Sequence, residues 1–139
     1  MKWITADNLD AWGRTTASEV LLPELVADLI SATAPEITSI RFPSGGKGRV
    51  RGFDGVLTSI GGLLNVPQGR SVWEFGTSAD YQGKAIRDFN SRCRDVTAEE
   101  QKDLTLVLVT PFTWDSSNSE NKIEDWEKAR EDASSWKNW

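Results

Sequence analysis

The stretch Leu104 to Thr110 reads LTLVLVT, an unbroken apolar and β-branched run. A strand with one wet face alternates apolar and polar side chains, so a run without alternation belongs to a strand buried on both faces. Such a strand needs other elements packed on either side of its sheet, which points to an α/β fold with a sheet flanked by helices.

The rest of the chain fits that frame. Trp3, Trp12 and Gly13 lie in a polar entry segment whose indoles are expected to pack on the domain. From Thr16, Val20, Leu21, Leu25, Leu29 and Ile30 recur at helical steps and predict a first helix with one apolar stripe. Pro23 either delays its start to near Leu22 or bends an early turn, and Pro35 closes it. Three strands are expected next, at 36–43, 50–60 and 70–77, as an antiparallel meander, with the glycine-rich basic turn 44–49 between the first two. A helix over 79–94, a polar acidic connector over 95–103, the strand at Leu104 and a last helix over 120–136 complete the order α-β-β-β-α-β-α. At 139 residues the chain is one domain. A helix after the last strand ordinarily feeds a further strand, so residues 1–139 are expected to be the N-terminal module of a larger protein.

Composition narrows the chemistry. There is no histidine and a single cysteine, Cys93. Ser-His-Asp and Cys-His catalysis are thereby excluded, as are multi-cysteine metal sites, and acid-base work falls to carboxylates, Lys or Tyr. A bound metal would be a hard ion on oxygen ligands, magnesium or manganese. No apolar stretch approaches the roughly 20 residues needed to cross a bilayer and no signal-peptide layout is present, so a cytoplasmic protein without membrane contact is expected.

The net charge of −5 speaks against a polyanionic partner until it is divided along the chain. Residues 38–94 carry nine basic and four acidic side chains, a balance of +5, whereas the flanks carry −4 and −6. The basic third includes Arg41, Lys47, Arg49, Arg51, Arg70, Arg87, Arg92 and Arg94, for which phosphate neutralisation is the obvious use. Within it, Asp54 and Glu74 each interrupt an apolar strand segment, where a lone carboxylate is costly unless paired or metal-bound. On neighbouring strands they could lie side by side and hold magnesium; the plainer reading is that they face solvent or pair with Arg51 and Arg70. Lys84 follows on the next helix and is either a charge stabiliser near that pair or a solvated lysine. Glu19 on the first helix is a third ligand or a surface residue. Trp114, Trp136 and Trp139 sit beside a polar loop or near the chain end, where they could cover an interface. Cys93 reads as a small buried residue.

The runs RGFDG at 51–55, SVWEFGT at 71–77 and DYQGKA at 80–85, on an α-β-β-β-α-β scaffold, resemble the PD-(D/E)XK nuclease superfamily. More narrowly they resemble Mrr-like effector nuclease domains at the N-termini of bacterial anti-phage defence proteins, often fused to a STAND-type ATPase. The resemblance implies a restriction-endonuclease-like core with a mixed sheet flanked by helices. It also implies a magnesium-dependent endodeoxyribonuclease acting on DNA, joined to an ATPase or sensor in a larger polypeptide. Nuclease domains that cut both strands commonly act as dimers, so it leaves room for a homo-oligomer. By this resemblance Glu19 matches the helix-one acid, Asp54 the strand Asp and Glu74 the acid of the E-x-K element. Metal would rest on Asp54, Glu74 and a backbone carbonyl near Phe75, with Lys47, Arg49, Arg51, Arg70 and Arg87 on nucleic acid. The family lysine is replaced by Gly76. Some members carry that lysine on the following helix, and Lys84 is the candidate. The alternative is a degenerate nuclease fold that binds nucleic acid or a protein partner without cleavage, or an assembly domain whose acidic last helix docks a partner.

Overall fold

A computed structural model describes residues 3–34, 36–43, 52–61, 66–114 and 123–136. The order is α1 (Ala6–Gly13), α2 (Thr16–Thr33), β1 (Ile37–Arg41), β2 (Gly55–Ser59), β3 (Gly69–Phe75), α3 (Tyr81–Asp95), α4 (Ala98–Gln101), β4 (Leu104–Val109) and α5 (Ile123–Glu131). The four strands form one mixed sheet in the order β1-β2-β3-β4. β1, β2 and β3 are the antiparallel meander, and β4 returns parallel to β3 after the crossover through α3. The chain is therefore an α/β protein with a four-stranded mixed sheet flanked by helices.

Alternation along the strands makes two cores. Val72 of β3 and Leu104 and Leu106 of β4 point to one face, where they meet Phe53, Phe89 of α3 and Trp136. Trp73 points to the other with Leu57, and meets Ile30 and Ala34 at the end of α2. β4 thus serves both cores, Leu108 packing on the first face and Val107 and Val109 on the second. That is the packing its unbroken apolar run predicts. Glu74 follows the same alternation and lies on the Val72 face, under α3.

Several expectations need correction. The entry segment is a helix, α1, opened by a capping box in which Thr5 and Asn8 satisfy each other's backbone N–H groups. Trp3 does not pack on the domain as expected; it is 78 % exposed. α2 runs through Pro23, which is buried, and its covered residues are Ser18, Leu22, Pro23 and Ile30; Val20, Leu21 and Leu29 are exposed. The polar connector contains the single turn α4, capped by Thr97 and Glu100. The last helix ends at Glu131, five residues before the expected Trp136. Trp136 is a core residue, and its indole N–H donates to the Cys93 sulfur at 3.3 Å. Pro35, the basic turn at 44–49 and Trp139 lie outside the described residues.

Candidate functional site

The β2–β3 register pairs Gly55 with Trp73, and one step further places Asp54 opposite Glu74 at the end of the meander. Asp54 is held there by the backbone N–H of Phe75, which donates to its Oδ2 at 3.1 Å. The two carboxyl groups lie near enough for the charge of Asp54 to act on Glu74. Glu74 is only 4 % exposed. Burial, above all, and the charge of Asp54 next push its pKa up to about 8, against the opposing pull of Arg92, with Asp88 adding to the rise. At neutral pH the proton on Glu74 is what lets two carboxyls share so small a space.

α3 lays three charged side chains over this pair at four-residue steps: Lys84, Asp88 and Arg92. Arg92 brings its Nε to 3.3 Å from Glu74 Oε1 and its Nη2 to 3.3 Å from Asp95, while its guanidinium lies over the Phe53 ring. The contact with Glu74 is a charge contact, poorly aligned for a hydrogen bond, and among the described residues Glu74 Oε1 is buried without a hydrogen-bond partner. Gly52, at φ +88°, makes room for the guanidinium; a Cβ there would meet Nη1 at 2.8 Å. Arg92 is therefore an internal cation that favours the ionised form of Glu74, and the expectation that it joins a phosphate-binding surface is corrected by its burial.

Lys84 pairs with Asp88 and shares a cavity of about 340 Å³ with Glu74. Its path crosses Gly76: a Cβ on that glycine would sit 3.1 Å from Lys84 Cγ. The side chain from α3 thus fills the space that a side chain at position 76 would enter, two residues after Glu74 along the chain. The remaining cavity wall is aromatic. Tyr81 stands 5.8 Å from Phe112 and 5.6 Å from Trp114, and Trp114 stands 5.4 Å from Trp126 of α5, ring centre to ring centre.

The other sequence-predicted residues are more dispersed. Glu19 is exposed in the first turn of α2 and is not among the residues lining the cavity; the further carboxylates lining it are Asp88 and Glu127. Arg70 is exposed on β3, and Arg87 is exposed and bonds the α3 N-cap, Asp80, at 3.1 Å. Lys47, Arg49 and Arg51 lie outside the described residues. A second depression beside Glu74, of about 470 Å³, carries Arg87, Arg92 and Arg94. Sequence reasoning misses Asp88 and Arg92 as partners of Glu74, although the four-residue spacing of Lys84, Asp88 and Arg92 is the available signal. It also misses the aromatic wall, which joins three separate parts of the chain.

The donor chemistry, two carboxyl groups opposite each other and oxygen only, suits a hard divalent cation, which would share Glu74 with the Arg92 guanidinium at its Oε1. Among the described residues no three His, Cys, Asp or Glu side chains form a ready cage. A cation would accordingly rest on Asp54 and Glu74, with main-chain oxygen and water completing its shell. Among the described residues no helix is long and apolar enough to cross a membrane. Comparison of the chain with family models, curated proteins and solved structures finds no match.

Proposed function

We propose that this chain is a metal-dependent nuclease domain that hydrolyses DNA phosphodiester bonds, with Asp54 and Glu74 as the metal-holding carboxylates and Lys84 as the displaced motif lysine. The observation that carries the reading is the crossing of Lys84 over Gly76. A lysine that leaves the strand should vacate the space in which its replacement arrives, and the glycine and the helix lysine meet that condition together. The antiparallel meander followed by a helix and a parallel strand also agrees with the restriction-endonuclease-like core that the resemblance implies. Its place as the effector of a larger anti-phage defence protein rests on the three sequence runs alone.

In this reading magnesium, or manganese, supplies Lewis acidity and a nucleophilic water when bound. Asp54, fixed by the Phe75 N–H, and Glu74 would hold it, with the Phe75 carbonyl as a further donor. Glu74 would bind it as the carboxylate. Asp88 holds the Lys84 ammonium near Glu74, where it stabilises negative charge gathering on a phosphate oxygen. Arg70, Arg87 and Arg94 are exposed positive charges for the backbone.

A specific feature favours a second reading. Arg92 already stands against Glu74 as a buried cation, as it would in a fold that binds nucleic acid without cutting. Plasmid cleavage by the purified protein separates the two. Magnesium-dependent cutting, lost in Asp54→Ala and in Glu74→Ala proteins with unchanged circular dichroism, supports the nuclease; clean cutting by both variants sinks it. Binding that EDTA leaves unchanged, without cutting, supports the degenerate module.

A further inference from the structure

We infer that the aromatic wall of the Glu74 cavity is a stacking surface for one unpaired nucleobase, so that the substrate strand is single-stranded or locally opened where it enters the site. The inference rests on the nuclease reading and adds to it the state of the nucleic acid.

The cavity lining is of two chemical kinds. Glu74, Lys84, Asp88 and Glu127 bring charge to it, and Tyr81, Trp114 and Trp126 present ring surface. A cluster serving only to dock α5 onto α3 would fill its own space. Here the rings meet at steep angles, 65° for Tyr81 with Trp114 and 60° for Trp114 with Trp126, and all three border an open volume of about 340 Å³. That volume lies at the lower end of the range of small-ligand pockets. The wall is also braced. Phe112, beside Tyr81, is 5 % exposed, and the Arg130 guanidinium lies 5.2 Å from the Trp126 ring centre. Braced rings suit a stacking surface, because little freedom is lost when a flat ligand settles on them.

The two kinds of lining select the ligand. In the nuclease reading the phosphate belongs beside the cation on Asp54 and Glu74, with Lys84 near it, and the group that reaches the rings must be flat and apolar on its faces. A nucleotide has that layout. A base inside a duplex has both faces covered by its neighbours and cannot reach the rings, whereas an unpaired or extruded base can.

The test is fluorescence anisotropy of a labelled oligodeoxynucleotide, as a single strand and as the duplex of the same sequence, with calcium replacing magnesium. Trp114→Leu keeps apolar volume and removes the ring; Trp114→Phe restores a ring. The unaltered protein is expected to bind the single strand more tightly than the duplex. Trp114→Leu should weaken single-strand binding about tenfold while sparing the duplex, in line with the worth of one base-aromatic stack, and Trp114→Phe should recover most of it. A single strand bound no better than the duplex, or equal losses on both, overturns the inference. So does an unchanged single-strand affinity in a folded Trp114→Leu protein. Failure of the nuclease reading registers elsewhere, as absence of magnesium-dependent cleavage by the unaltered protein, and leaves the anisotropy comparison intact.

Discussion

Replacing Glu74 by glutamine should change how the stability of this protein depends on pH. In the fold, burial and Asp54 hold the Glu74 pKa up to about 8, against an ordinary value of 4.5. Between those values the folded protein keeps a proton that the unfolded chain has released. A group raised in this way contributes its stability in full below pH 4.5 and loses it as pH rises through about 8. Each pH unit inside that window costs about 1.4 kcal/mol from this one group. Glutamine preserves the shape, but it has no proton to lose. From about pH 5.5 to about pH 7.5 the stability of Glu74→Gln relative to the parent should therefore rise by about 2–3 kcal/mol. Urea unfolding of both proteins in EDTA at several pH values reads the difference directly. Parallel stability curves across that range would refute the reasoning, because Glu74 would then titrate alike in the folded and unfolded chains.

Magnesium should flatten the parent's pH dependence in the same unfolding experiment, since a cation between the carboxylates displaces the proton that makes stability pH-sensitive; Glu74→Gln should show little response. Gly76→Lys should lower stability by about 1–3 kcal/mol through overpacking against Lys84, and the loss should shrink in a Lys84→Ala background. By the nuclease reading, that double variant should also recover cleavage that Lys84→Ala alone has lost. Arg92→Ala should cost about 3–5 kcal/mol in chemical denaturation at about pH 9, where Glu74 is ionised and would be left without its buried counter-charge; at about pH 6, with Glu74 protonated, the loss should be smaller. Leu106→Ala, at a side chain with no exposure, should cost about 2–5 kcal/mol, read from the denaturant midpoint.

What the sequence disclosed depended on whether a signal was periodic or relational. The doubly buried β4, the meander and α3 were legible because each is written into a local run. The facing of Asp54 and Glu74 was legible too, since a costly carboxylate inside an apolar strand needs an explanation. α1 was not, because its signal is a Thr5 and Asn8 cap instead of an apolar stripe. The exposed Val20, Leu21 and Leu29 show that helical spacing names an apolar set without saying which part of it the sheet covers. Arg92 looked like one more member of a basic segment. Its interior role follows from the room at Gly52 and from the buried Glu74 carboxylate, and neither relation is visible in the linear order of residues. The aromatic wall escaped notice for the same reason, since Tyr81, Phe112, Trp114 and Trp126 become neighbours only once α3, the segment after β4 and α5 are assembled.

The way the cavity is divided along the chain has a consequence for how such a site can change. Glu74, Lys84 and Asp88 of its lining come from the meander, whose strand pairing is antiparallel and local in sequence, and from α3. Its aromatic lining depends largely on residues after β4, the strand that joins the sheet through a long crossover. Substitutions at Trp114 or Trp126 can therefore reshape what the cavity accepts while the register holding Asp54 opposite Glu74 stays fixed. Under the nuclease reading, reactivity and choice of ligand would be inherited from different stretches of the chain, each free to drift without dismantling the other.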